Sequence, residues 1–177
     1  MNQESVYYKS PIGLLKLSGE QNSLTEVLFV STEKNGIDEG SIENFDPPAL
    51  PILQQTIQQL NEYFEGRRMD FDLALAQTGT AFQQKVWNGL MTIKAGSNLS
   101  YLSFSKRLGD VKAIRAVGTA NGRNKISIIV PCHRVIGSNG SLVGYGGDLW
   151  RKKWLLDHEA KFTHGVRTLF AEEEKIM

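Results

Sequence analysis

Gln77-Thr78-Gly79-Thr80-Ala81-Phe82-Gln83 divides this 177-residue chain into two halves of different character. Thr80 with Gln83 three residues on is a capping box, so a helix opens here. Charge changes at the same place. Residues 1–79 carry 5 Lys/Arg against 12 Asp/Glu, a net of −7; residues 80–165 carry 13 against 4, a net of +9; residues 166–177 carry 2 against 3. This asymmetry, hidden in an overall charge of +1, has two readings. One half meets a polyanion, or the halves neutralise each other across an internal interface. The expected domains are 1–78, 79–163 and a tail, 164–177.

Upstream of the boundary the pattern is strands followed by a helix. Val6 to Tyr8 and Leu14 to Leu17 flank Pro11-Ile12-Gly13, a turn signal between two strands. Leu24 to Val30 reads as a third strand, alternating poorly enough to be buried on both faces. A loop rich in Gly, Asn and acidic residues runs from Ser31 to Asp46. Leu53, Ile57, Leu60 and Phe64 then fall on one face of a helix that Gly66 stops. Phe71, Leu73 and Leu75 alternate as a further strand.

Downstream the chain reads as mainly helical. Phe82, Val86 and Leu90 share a face of the helix opened at Thr80, with Gly96 as its stop. A short helix over Ser103–Leu108 ends at Gly109, and Asp110 caps another over Val111–Asn121. Two helices joined by a glycine-containing turn outline a helix-turn-helix. The second has a core stripe of Val111, Ile114 and Val117, a polar stripe of Lys112, Arg115 and Thr119, and a nearly bare strip of Ala113, Ala116 and Ala120. A bare face admits a close backbone, whether of DNA or of another helix. After it come a buried strand over Ile126–Val130, a glycine-rich loop from Gly137 to Gly147, and a helix over Leu149–Glu159.

Composition excludes several classes. With 41 % hydrophobic and 22 % charged residues, the chain is not disordered. Its longest uncharged run, Pro47 to Asn61, holds three prolines and four glutamines, so no membrane span is expected. The first twenty residues lack a secretory pattern, which makes a cytoplasmic address the expectation. The lone cysteine, Cys132, excludes an internal disulfide and a zinc site with several thiolates.

Cys132 stands in Pro131-Cys132-His133-Arg134-Val135, directly after the buried strand. A lone cysteine is commonly a small core residue. Its thiolate is also a strong nucleophile, and nearby cations or a histidine lower its pKa. His133 and Arg134 put both beside it in sequence.

The wider string is Thr80-Ala81-Phe82-Gln83, Val86-Trp87, Ser100-Tyr101, Arg115-Ala116-Val117-Gly118, Asn124, Pro131 to Val135, Gly144-Tyr145, and Trp154-Leu155-Leu156-Asp157-His158-Glu159. In order and spacing it resembles the 6-O-alkylguanine-DNA alkyltransferases, strongly over about 80 residues and loosely over the N-terminal half. The resemblance implies an α/β N-terminal domain with a ribonuclease-H-like sheet, and a mainly helical C-terminal domain whose helix-turn-helix meets the minor groove. It implies a single-turnover repair protein, monomeric and without cofactor or metal, acting on double-stranded DNA that contains 6-O-alkylguanine. That places it in the cytoplasm with access to a bacterial nucleoid, or in a eukaryotic nucleus. By position, Cys132 would accept the alkyl group, activated through His133 and a bridging water, with Glu159 orienting the histidine. Tyr101 would hydrogen-bond the departing guanine, Asn124 would brace the active-site turn, and Arg115 would fill the space of a flipped nucleotide. Lys112, Ala116, Thr119, Tyr101 and Arg134 complete the expected DNA contacts.

The chemistry suits these residue types. Attack at an alkyl carbon favours a soft sulfur, the departing base gathers negative charge that a hydroxyl donor stabilises, and the base must leave the stack to be reached. The chain departs from the family pattern at Lys125, where many members carry proline, at Ser127, where the human member carries proline, and at Gly146 with Asp148; the cysteines of an N-terminal zinc site found in some members are missing. Three other functions compete. A damage sensor on the same scaffold carries tryptophan in place of the acceptor, a cysteine hydrolase would turn over many times, and a helix-turn-helix regulator would need larger side chains than alanine to read a major groove.

Overall fold

Pro11-Ile12-Gly13 turns the chain as its sequence predicts. Gly13 adopts φ 118°, and Ser10 Oγ accepts from Ile12 N–H while donating to Gly13 O. In the computed structural model, which describes residues 2–31, 36–37, 47–145 and 148–165, this turn joins strands β1 (Gln3–Ser10) and β2 (Gly13–Glu20). β3 (Ser23–Phe29) adds antiparallel to β2, giving a three-stranded sheet in the order β1-β2-β3. The poor alternation of β3 has a local cause. Its register against β2 shifts between Ser18 and Gly19, so that Leu17 faces Val27 but Gly19 faces Leu24. This bulge at Thr25 resets the parity and turns both Leu24 and Val27 into the core, and β3 is half-buried rather than buried on both faces. The expected loop over 31–46 lies mostly outside the described residues.

Helix α1 (Pro51–Phe64) opens with proline at its first turn and ends before Gly66, which takes φ 78°. Its buried side is Leu53, Thr56, Leu60 and Tyr63, rotated from the expected stripe; Ile57 and Phe64 are only half-buried. It lies close on the sheet, since a Cβ on Gly19 would stand 3.0 Å from Ile52 and 3.2 Å from Leu53. The strand expected around Phe71–Leu75 is reduced to one bridge, Leu24 to Leu75. The free edge of β3 is shared, because Val27 bridges Ile126 further along.

That second bridge corrects two expectations. Lys125–Ile129 belongs with Met1–Thr78 in the first compact unit, while Gly79–Asn124 and Val130–Met177 form the second. The reason is pairing: Val27 N–H donates to Lys125 O and Ser127 N–H donates to Val27 O. Nor is Ile126–Val130 a strand. Ile129 N–H bonds Ser127 O around Ile128, at φ 73°, and Cys132 N–H bonds Val130 O around Pro131, at φ −83° and ψ 64°. These are two γ-turns, the first strained at a β-branched residue and the second suited to the fixed φ of proline.

The second unit begins at the capping box, where Thr80 Oγ1 accepts from Gln83 N–H and the Gln83 side chain accepts from Thr80 N–H. Helix α2 (Ala81–Leu90) buries Val86, Trp87 and Leu90 but leaves Phe82 exposed. Helix α3 (Tyr101–Arg107), capped by Ser100, is followed by Gly109 at φ 94°, then by a 3-10 turn over Val111–Ala113 that Asp110 caps, and then by α4 (Ile114–Gly122). Trp87 Nε1 donates 2.9 Å to Ala120 O and ties α2 to α4. The expected core stripe of α4 is corrected. Val111 and Ile114 are exposed and the buried face is Val117, Ala120 and Asn121, because the 3-10 turn offsets the first three residues from the α-helical spacing.

Strands β4 (Leu99–Ser100) and β5 (Val135–Ile136) pair in parallel. Helix α5 (Leu149–His164) closes the unit, capped by Gly165 at φ 72°, so it runs one residue past the expected boundary. Residues 166–177 of the expected tail lie outside the described residues, as do Gly146 and Gly147.

Candidate active site

Pro131 ends its γ-turn at the first residue of a short 3-10 helix, Cys132–Arg134, whose three side chains are all buried. Cys132 as a residue is 6 % exposed. His133 and Arg134 point to one carboxylate. His133 Nε2 lies 2.8 Å from Glu159 Oε1, while Arg134 donates from Nε to Oε2 and from Nη2 to Oε1, each at 2.9 Å. Arg134 Nη1 also donates 2.5 Å to Ile93 O. Glu159 reaches this point because α5 carries Lys152, Leu155, Leu156 and Glu159 on its buried side.

Arg134, expected among the DNA contacts, is buried. It is the buried counter-charge of Glu159, a bidentate pair of the kind guanidinium geometry favours. Burial alone would raise the Glu159 carboxyl, but the His133 and Arg134 partners reverse this and hold it well below the usual carboxylate range. Burial likewise pushes the His133 imidazole down, against the pull of Glu159. With the carboxylate already balanced by Arg134, His133 is neutral at pH 7. Its Nε2 donates to Glu159, which fixes the tautomer and leaves Nδ1 as an acceptor. Nδ1 is buried and has no hydrogen-bond partner among the described residues.

The thiol also behaves differently from the sequence expectation. Burial raises the Cys132 pKa, opposed by the Asn124 side chain and the Lys152 charge. The imidazole of His133 and the guanidinium of Arg134 do not lower it as supposed, because both face Glu159. At neutral pH Cys132 is a thiol, and its proton must move as it reacts.

Asn124 is buried and donates from Nδ2 2.8 Å to Val130 O across the turn that delivers Cys132. Tyr101 opens α3, half-buried, and its hydroxyl accepts from Asn121 Nδ2 at 3.1 Å. Burial and the neighbouring Cys132 raise the Tyr101 phenol, so it keeps its proton. Cys132, His133, Glu159, Tyr101 and Asn124 thus share the second unit. Lys112, Arg115, Ala116 and Thr119 lie exposed on the 3-10 turn and α4.

Two residues here were missed in the sequence. Lys152 is fully buried, with Nζ donating 2.6 Å to Val135 O and 2.9 Å to Val143 O, and burial pushes its ammonium down to about 8. Asn121 is 3 % exposed. Both had a signal, since Lys152 shares a helix face with Leu155, Leu156 and Glu159, and Asn121 follows Val117 by four residues. Among the described residues no group of three or more His, Cys, Asp or Glu side chains is placed to hold a metal, and no helix is long and apolar enough to cross a membrane.

Two models of one family match the chain, the ribonuclease-like domain of 6-O-methylguanine DNA methyltransferase over residues 5–77 and its DNA-binding domain over residues 81–161. A methylated-DNA–protein-cysteine methyltransferase of Mycolicibacterium paratuberculosis is 44 % identical over 161 residues, covering 91 % of this chain and 94 % of the relative. The constitutive enzyme of that name from Bacillus subtilis is 45 % identical over 139 residues, covering 78 % and 84 %. Among solved structures, the Mycobacterium tuberculosis O6-methylguanine methyltransferase superposes with a TM-score of 0.77 at 39 % identity, covering 96 % of this chain and 99 % of that one. A complex of the Mycobacterium tuberculosis protein with DNA superposes with a TM-score of 0.76 at 41 % identity, covering 88 % and 92 %. With a buried cysteine, histidine and glutamate in one half and a ribonuclease-like sheet in the other, the chain belongs to the 6-O-methylguanine DNA methyltransferase family.

Proposed function

We propose that this chain repairs DNA by direct reversal, moving the alkyl group of a 6-O-alkylguanine to Cys132 Sγ in one irreversible turnover. The observation that carries the reading is the buried Cys132–His133–Glu159 constellation, with a neutral imidazole whose Nδ1 is free to accept a proton. The thiol proton passes to Nδ1 through a water, and Glu159 stabilises the imidazolium that forms. Sulfur attacks the alkyl carbon, the carbon–oxygen bond breaks, and its electron pair leaves with the guanine. Tyr101 donates to that base as its charge grows, and Asn124 keeps the cysteine turn rigid. The product is a thioether, for which the site holds no hydrolytic route.

The target lies within the stack of double-stranded DNA, so its nucleotide must be extruded at a few kcal/mol. Arg115, exposed on α4, is assigned to the vacated space. Ala116 gives the helix a low profile against the minor groove, and Lys112 and Thr119 are assigned to the backbone. The protein acts as a monomer, in the compartment that holds the DNA, and draws on no cofactor.

Mass spectrometry after mixing with a duplex bearing one 6-O-methylguanine tests this directly. The expected result is a gain of about 14 Da on the peptide containing Cys132, at one equivalent per protein. Repair of more than one equivalent, or no gain on that peptide, overturns the reading. Cys132→Ala should lose transfer and keep DNA binding.

A further inference from the structure

We infer that Asn121 is a positioning residue for the transfer step: its amide holds the Tyr101 hydroxyl as an acceptor, leaving the single phenolic proton for the departing base. The inference rests on the proposed methyl transfer and assigns a further residue to it.

Asn121 Nδ2 lies 3.1 Å from Tyr101 Oη and 3.4 Å from Cys132 O. The Cys132 carbonyl is an obligate acceptor and also accepts from Val135 N–H. The amide group facing it must therefore be the NH2, because the reverse orientation would set two acceptors against each other. One N–H is directed to each oxygen. Tyr101 Oη thus receives a hydrogen bond, and its own O–H must point elsewhere. Among the described residues it has no acceptor. The phenol is preset as a donor toward whatever occupies the site.

The same amide links the donor to the backbone of the nucleophile, so the two move as a unit. Stability alone does not account for it. Asn121 Oδ1 is buried without a hydrogen-bond partner among the described residues, an unfavourable state that an apolar residue on this face of α4 would avoid. A buried amide with one half unsatisfied is better explained by the work of its other half.

The test compares two reactions at Cys132. Single-turnover methyl transfer from a 6-O-methylguanine duplex needs a donor for the departing base; alkylation by iodoacetamide expels iodide and needs none. Asn121→Leu should slow methyl transfer roughly 10-fold, less than the 10²–10³-fold typical of deleting a donor outright, and leave the iodoacetamide rate unchanged. In a Tyr101→Phe background it should cost nothing further. Asn121→Ala, favourable in a helix, gives the same readouts if the leucine variant does not fold. Equal slowing of both reactions would reduce Asn121 to a brace for the cysteine turn and overturn the inference. So would losses that multiply with those of Tyr101→Phe. Failure of the unaltered protein to methylate Cys132 would instead overturn the function on which the inference rests.

Discussion

Glu159→Gln separates what the buried carboxylate does for the fold from what it does for the chemistry. The carboxylate is fully buried and accepts one bond from His133 and two from Arg134. Glutamine keeps its shape but removes the charge and turns one acceptor into a donor. Breaking a buried ion pair by removing one partner costs about 3–5 kcal/mol. At roughly 2–4 °C per kcal/mol for a chain of this length, the melting temperature should fall by roughly 6–20 °C. The effect on transfer has a different cause. If the new NH2 faces His133, Nε2 must accept and the proton moves to Nδ1, which then cannot take the thiol proton; if it faces Arg134, two donors collide. Transfer should fall by about 10²–10⁴-fold. Circular-dichroism melting and single-turnover transfer read the two effects separately. Removing both charges in Glu159→Leu/Arg134→Met should recover part of the lost stability while the rate stays low. A double variant no more stable than Glu159→Gln, or a single variant of unchanged stability and rate, would refute the ion-pair reasoning.

Arg115→Ala should slow repair of duplex DNA by roughly 5- to 150-fold, the value of about 1–3 kcal/mol of stacking, and hardly affect repair of the free modified base. A loss that vanishes as salt rises would mean that Arg115 supplies only surface charge. His133→Phe should slow transfer and shift its pH–rate profile to higher pH while DNA affinity holds; an unchanged profile with folding intact would make His133 a packing residue. Lys152 predicts a stability signature. Burial lowers its ammonium from 10.5 to about 8, so between those values the unfolded chain binds more protons and this site's contribution to stability rises with pH. The difference in unfolding free energy between the unaltered protein and Lys152→Met should grow by about 3 kcal/mol across that window, and a flat difference would put the ammonium in water.

Local rules carried the sequence reading as far as the elements and no further. The capping box at Thr80, the Gly13 turn and the Asp110 cap each depend on neighbours within three residues, and the structure forms them all. Faces were harder. Phe82, Val111 and Ile114 look like core residues by spacing and are exposed, because a 3-10 turn and the partners of each helix decide which side is buried. Ile126–Val130 looks like a strand because it is apolar, yet two γ-turns fold it into a buried loop. At the site, the motif placed Cys132, His133 and Glu159 through resemblance, but adjacency misled on charge. Arg134 follows Cys132 by two residues and still turns to Glu159, 25 positions on. No one-dimensional pattern distinguishes a guanidinium facing DNA from one facing a buried carboxylate.

The raised thiol pKa fits a protein that reacts once. An enzyme that turns over gains from a standing thiolate, since each cycle draws on it again. A single-use acceptor would lose from one, because a thiolate consumed by oxidation or a stray electrophile ends the molecule's service. Burial keeps Cys132 in the less reactive thiol form, and the neutral imidazole held by Glu159 offers a place for its proton when a substrate is aligned. Arg134 makes this possible by balancing Glu159, since an unbalanced carboxylate would draw a second proton onto His133 and occupy Nδ1. The ion pair that secures the fold therefore also sets the protonation state on which the proposed transfer depends.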